Sequence, residues 1–237
     1  QARLQKTQEA LATGKKINEA SDDPVASAQI TAVRAELSRL EVMQKNVNTA
    51  YDELAMTEAS LSSAEDLISR AREISVQGSN SVLGPEDRAI LATEIEAIRD
   101  QLFKLANTQS PMGDYIFAGH ATDRPAFADN DGNYEFQGDN GQRALNIAAG
   151  VTVNVRSTGT DVFGEGETGI FSVLQNLAGG LRADDDEIIQ RSMTSIDDSQ
   201  QLMLEGIADL GSRMGLVEDQ QLLNEAFNVQ LKENLSG

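Results

Sequence analysis

Apolar residues recur at every seventh position over a long, proline-free stretch near the start of the chain. The positions in this series are Val33, Leu40, Val47, Leu54, Leu61 and Ile68. A repeat of seven places its members along one narrow line of an α-helix, whereas a helix on a globular core shows a wider apolar stripe. The preceding run Ser21–Asp22–Asp23–Pro24 predicts the helix start, because aspartates accept bonds from free N–H groups and proline fits the first turn. A helix over 24–77 is on the order of 80 Å long, which indicates a rod.

The last part of the chain shows the same repeat. The series contains Ile189, Ile196, Met203, Leu210, Val217 and Leu231, and only Asn224 breaks it. We expect a second rod over 184–235, antiparallel to the first, so that each rod buries the apolar seam of the other. Asn224 either specifies the register of this pair or marks the point where the seam turns to solvent.

Between the rods, Gly78 and Gly84–Pro85 predict a turn, and a shorter helix with a broader apolar stripe should follow over about 85–107. Four seam residues are expected to be fully buried: Leu54, Leu61, Met203 and Leu210.

The central segment 113–169 is rich in Gly, Asp and Asn and has short β-like runs at 115–118, 134–136, 144–148 and 151–155. Turn signals stand at Asp131–Gly132 and Asn140–Gly141. Six of the ten aromatic residues lie here, as the core of a small sheet domain requires. The predicted fold class is therefore α+β: a long antiparallel helical rod, coiled-coil-like, formed by 1–112 and 170–237, with a small β-rich domain at 113–169 inserted at its far tip.

Composition narrows the possible functions. The chain has 38 acidic and 19 basic residues, for a net charge of −19, and such a surface repels phosphate backbones and anionic lipid head groups. No cysteine is present, which excludes thiolate nucleophiles and Cys-based metal sites, and His120 is the single histidine. Nothing in the sequence singles out a catalytic, cofactor or metal site. The G-x-G-x-x-G match at 164–169 is typical of dinucleotide binding only within a βαβ unit, which is missing here, so we interpret it as a linker. We expect a protein that is not an enzyme and has no cofactor.

Three segments resemble a known family. They are "LATGKKINEASDDPVASAQI" at 11–30, "GDYIFAGHATDRPAF" at 113–127 and "GSRMGLVEDQQLLNEAFN" at 211–228. The first and last resemble the two terminal boxes of the bacterial flagellin superfamily. The middle segment, together with Pro24 after the two aspartates, is similar to the branch of that superfamily that forms the hook–filament junction (hook-associated protein 3).

This resemblance implies a structural adapter in the extracellular flagellum, between the hook-associated protein 1 layer and the flagellin filament. It further implies type III export without a cleaved signal peptide, self-association in a ring, and an export chaperone that binds a C-terminal segment beyond this chain. Family members begin with Met and extend past both ends of this sequence. The alternative within the superfamily is flagellin itself, the filament subunit; the alternatives outside it are a soluble enzyme and a receptor signalling rod.

Within the two terminal boxes, Asp22, Asp23, Arg213 and Gly215 are candidates for an assembly interface. On this hypothesis Arg213 offers its guanidinium to a carboxylate of an adjacent subunit, and its replacement by alanine leaves the melting temperature of the monomer nearly unchanged. The local alternative is that the aspartates cap a helix and that Gly215 lets the rods approach closely. We expect this chain to be monomeric at micromolar concentration, because its net charge opposes association.

Overall fold

The computed structural model describes residues 24–236. Five helices account for most of this range: α1 Pro24–Gly78, α2 Pro85–Ala106, α3 Gly159–Phe163, α4 Ile170–Ala183 and α5 Asp186–Ser236, with a short 3-10 helix at Gly166–Thr168. Four strands form two separate antiparallel hairpins: β1 Phe127–Asn130 with β2 Asn133–Phe136, and β3 Ala144–Ala148 with β4 Val151–Asn154. The predicted fold class, a long helical rod with a small strand region, is confirmed.

Helices α1 and α5 pack against each other along the seven-residue repeat, and we call this contact the seam. The two helices run antiparallel and bury the seven-spaced residues of both series except Val33 and Leu231, which are half-buried. Leu54, Leu61, Met203 and Leu210 are buried, as predicted. Two polar contacts fix their register: Arg72 Nε lies 2.5 Å from Asp197 Oδ1, and Gln200 Nε2 donates to Glu65 Oε1 at 3.0 Å. The seam continues through Asn224, which is buried and accepts a hydrogen bond from Gln220 Nε2 at 2.8 Å.

At one end of the rod, here called the distal end, α2 and α4 pack against α1 and α5 to complete a four-helix bundle. The approach of α4 to α1 is close, because a Cβ added at Gly78 would lie 2.4 Å from Leu181 Cδ2. Arg88 of α2 is buried and forms ion pairs of 2.6 and 2.8 Å with Asp184 and Asp186, which flank the turn from α4 to α5. These contacts tie the helix connections together at the distal end.

The β-rich segment does not lie at the far tip, as the sequence suggested; it lies beside the middle of the rod. The reason is the course of α2, whose 22 residues run back along the bundle for about 33 Å before the strands begin. The first contact with the rod is a bond from Asn46 Nδ2 to the carbonyl oxygen of Asn146 at 2.7 Å. The second is an ion pair of 2.6 Å between Arg143 and Glu53.

The strand predictions are confirmed in part. The turn at Asp131–Gly132 joins β1 and β2, and both residues have positive φ, 54° and 89°. The expected strand at 115–118 is wrong: this segment forms turns around Gly119, where a side chain would collide with the backbone of Asp139. The signal at Asn140–Gly141 is not a hairpin turn either, because it lies in the loop between the two hairpins.

The aromatic residues of the central segment share a core with the helices. Phe127 packs on Phe171 of α4 with ring centroids 5.1 Å apart, and Phe171 in turn packs on Phe103 of α2 at 5.6 Å. Phe117 and Phe163 meet edge to face at 5.3 Å. The cluster therefore joins the strands to α2 and α4, and the division of the chain into two domains at the expected boundaries stays a prediction.

Candidate assembly surface

Arg213 lies on α5 at the point where the β-rich segment returns to the rod. Its Nη1 donates to the carbonyl oxygens of Asn154 and Arg156, both at 3.1 Å, and its Nη2 donates to Ser157 Oγ at 2.8 Å. Nη2 also lies 2.6 Å from Asp209 Oδ2, one helical turn earlier. The guanidinium therefore holds the segment after β4 against α5. Because these contacts lie within the monomer, we now expect Arg213→Ala to lower the melting temperature of the monomer and not to leave it unchanged.

Gly215 lies one half-turn further along α5. A Cβ added at this position would meet no atom within 4 Å, so the idea that Gly215 permits close packing of the two rods is wrong for this chain. The glycine that does permit close packing on α5 is Gly206, where a Cβ would lie 2.5 Å from Val162 Cγ1 of α3. Asp22 and Asp23 lie outside the described residues. The roles of all four candidates at an interface between subunits stay predictions.

A second group of charged residues, which the sequence did not reveal, fixes the β-rich segment to α1. Arg156 is nearly buried, and its Nη2 lies 3.2 Å from Asp114 Oδ2 while its Nε lies 3.6 Å from Glu53 Oε2. Glu53 also accepts from Arg143, so one carboxylate of α1 serves two arginines of the insertion. Glu53 is about a hundred positions from its two arginines, and Asp114 is 42 positions from Arg156, so no local sequence pattern predicts these pairs.

The loop between the hairpins depends on one carboxylate. Asp139 Oδ1 accepts the backbone N–H groups of His120 at 2.8 Å and of Gly141 at 2.7 Å. These two bonds hold the pKa of Asp139 below its ordinary value, because they stabilise the ionised carboxylate. His120, the single histidine, thus contributes to the structure of this loop through its backbone N–H group.

Within residues 24–236, no group of three or more His, Asp or Glu side chains is placed to hold a metal ion. None of the described helices is long and apolar enough to cross a membrane.

Exposed apolar side chains are concentrated at the end of the rod opposite the bundle. On α5, Leu216, Leu223 and Phe227 lie on one side of the helix, because they are spaced by seven and four positions, and Leu222 and Val229 lie on another side. On α1, Val25 and Val42 are exposed. We call the surface formed by Leu216, Leu223, Phe227 and Val42 the proximal face. The sequence contains a signal for this surface, because these residues are apolar without belonging to the seven-residue repeat.

Comparison with known proteins agrees with the architecture. The chain is 37% identical over 134 residues to flagellar hook-associated protein 3 of Escherichia coli, an alignment that covers 56% of this chain and 42% of that protein. It is 33% identical over 165 residues to the protein of the same name from Salmonella typhimurium, covering 69% and 51% of the two chains. The chain thus spans about half the length of the curated relatives it matches. Flagellins are only distant relatives.

Solved structures show the same fold. The crystal structure of flagellar hook-associated protein 3 from Legionella pneumophila superposes with a TM-score of 0.80 at 20% identity, covering 87% of this chain and 98% of that one. The family described as the bacterial flagellin N-terminal helical region matches residues 1–122, which is half of the sequence. With its long antiparallel rod and its similarity to hook-associated proteins, the chain belongs to this bacterial flagellin family.

Proposed function

We propose that this chain is the rod-shaped part of a structural adapter at the junction between the flagellar hook and its filament. The observation that carries the proposal is the rod itself: two helices of 55 and 51 residues that share one continuous seam, in a chain of the flagellin family. A rod on the order of 80 Å long suits side-by-side packing around a tube. The named function of the relatives, hook-associated protein 3, supports the junction rather than the filament.

The partners in this proposal are a hook-associated protein 1 layer on one side and flagellin on the other, with further copies of the same protein alongside. We also propose export through the hollow flagellum by the type III route, with the help of a chaperone, to an extracellular location. We also propose the division into a helical part, 1–112 and 170–237, and an outward-facing β-rich part at 113–169. In this proposal the function of the whole protein is structural, without catalysis.

Immunogold labelling of isolated flagella tests the location. We expect a narrow band of label at the hook end of each filament, and an antibody against flagellin on the same preparation provides the control for labelling along the shaft. Label along the whole filament would instead identify a filament subunit and contradict the junction.

Deletion of the gene tests the role. Cells without the protein should lack filaments and release flagellin monomers into the medium, because the first flagellin subunits have no layer to attach to. The full-length gene supplied in trans should restore filaments. Normal filaments on the deletion strain would overturn the proposal.

A further inference from the structure

We infer that the proximal face is a contact surface for a second copy of this chain, with Leu216, Leu223 and Phe227 of α5 from one copy seated on α1 of its neighbour. The inference rests on the proposed function, which requires copies to stand side by side, and it adds the surfaces that meet. The starting point is exposure: Phe227 and Leu223 are each 53% exposed, and Val42 is 62% exposed. Large apolar and aromatic side chains grouped in this way on a soluble protein mark contact sites.

The side of α1 that receives them is a shallow groove beside β3. Apolar atoms form most of its lining, which comes from Ser38, Arg39, Val42, Met43, Asn46 and Asn146. The hydrogen bond from Asn46 Nδ2 to the carbonyl oxygen of Asn146 joins the α1 and β3 parts of this lining. The groove is therefore held in shape by a contact within one copy, and it is shallow enough for a helix of a neighbouring copy to lie in it.

The two surfaces lie at the same height along the rod. Counting thirty residues from the Arg72–Asp197 ion pair toward the start of α1 and the end of α5 leads to Val42 and Phe227. Both helices rise by about 1.5 Å per residue, so equal counts are equal distances. Two copies that stand parallel and in register therefore bring the α5 surface of one to the level of the α1 groove of the other.

The charges of the two surfaces favour contact between α5 of one copy and α1 of its neighbour over contact between two α5 surfaces. Residues 30–50 of α1 carry three basic and two acidic residues, a net charge of +1 in a chain whose total is −19. Residues 215–231 of α5 carry three acidic residues, Glu218, Asp219 and Glu225, and no lysine or arginine, a net charge of −3. Opposite charge steers the α5 surface toward α1, and like charge opposes contact between two α5 surfaces.

The sequence offers a direct test, because its 237 residues contain no cysteine. Two single-cysteine variants of the full-length protein, Val42→Cys and Leu223→Cys, are produced together in one strain, and its isolated flagella are treated with a mild oxidant. Each substitution adds one thiol to a segment that has none. A disulfide-linked dimer on a non-reducing gel, above the level that the unsubstituted full-length protein gives, therefore reports a contact between copies, with Cβ atoms about 4 Å apart. The control pair is Leu223→Cys with Val76→Cys, since Val76 is 50% exposed but lies near the distal end of α1.

We expect several-fold more dimer from the Val42 and Leu223 pair than from the control pair, with a lower yield at high salt. Equal yields from the two pairs, in flagella where an immunoblot shows the protein, would overturn the inference while leaving the junction proposal intact. Dimer from Leu223→Cys alone, at the yield of the mixed pair, would also overturn it, because α5 would then face α5.

The same two pairs are compared in solution with the purified proteins at millimolar concentration. If the immunoblot finds no protein in flagella, the junction proposal fails, and the solution experiment alone decides whether the two surfaces meet. An excess of the Val42 and Leu223 dimer supports the inference there, and equal yields contradict it.

Discussion

The rod and the β-rich insertion are held together in different ways. The rod repeats one contact: an apolar residue every seven positions on α1 meets its counterparts on α5, and most of its stabilisation comes from burial. The insertion has two short hairpins that are not paired with each other. An aromatic cluster packs it against α2 and α4, and arginine contacts to carbonyl and carboxylate oxygens attach it to α1 and α5. A regular apolar repeat therefore builds the long element, whereas an irregular set of aromatic and polar contacts positions the insertion.

The largest expected effect belongs to the seam. Leu61→Ala removes a fully buried side chain and should lower the free energy of unfolding by about 2–5 kcal/mol. Leu223→Ala is the matched control, because the same chemical change at an exposed position of α5 should cost well under about 1 kcal/mol. Urea unfolding followed by circular dichroism measures both, and equal effects of the two substitutions would contradict burial in a shared seam.

The contact between the two regions comes next. Arg213→Ala leaves the carbonyl oxygens of Asn154 and Arg156 without their donor and should destabilise the monomer by about 1.5–3 kcal/mol. Arg213→Lys should recover only part of this, since a single ammonium group cannot reproduce the planar fork. Thermal unfolding of the purified chain measures the change. An unaltered melting temperature for Arg213→Ala would return this residue to the interface hypothesis.

Replacing either of two glycines of α5 by alanine should change the stability of the protein by a smaller amount, and in opposite directions. Gly206→Ala should destabilise the protein by about 1–3 kcal/mol, because its Cβ would meet the stiff side chain of Val162. Gly215→Ala should stabilise the monomer by up to about 1 kcal/mol, because alanine favours the helix and nothing lies within 4 Å. If Gly215→Ala nevertheless impairs filament formation in cells, a neighbouring subunit must approach this position.

The smallest effect concerns the loop of the insertion. Since the folded state lowers the pKa of Asp139, its carboxylate stabilises the fold at pH values above the ordinary aspartate pKa, and this contribution disappears as the pH falls through the lowered value. The stability difference between the protein and Asp139→Asn should therefore be constant near neutral pH and shrink in acid. Unfolding curves for both proteins over a pH series measure it, and a difference that grows toward acid would contradict the role of this carboxylate.

The sequence by itself determined the helical rod. The seven-residue repeat predicted both long helices and their buried residues, because a contact that recurs with the helical period is visible in a linear series. The three resembling segments likewise indicate the flagellin family from the sequence alone. The turn at Asp131–Gly132 was also predictable, since it depends on two adjacent residues that tolerate positive φ.

Only the tertiary structure decided where the insertion lies and what Arg213 binds. The place of the insertion follows from the return of α2 along the bundle, and the partners of Arg213, Arg156 and Glu53 come from distant parts of the chain. The segment 115–118 looked like a strand because its residues have high β propensity, but the close approach of Asp139 to Gly119 imposes turns there. Contacts of this kind have no period in the sequence, so they appear only when the folded chain brings their partners together.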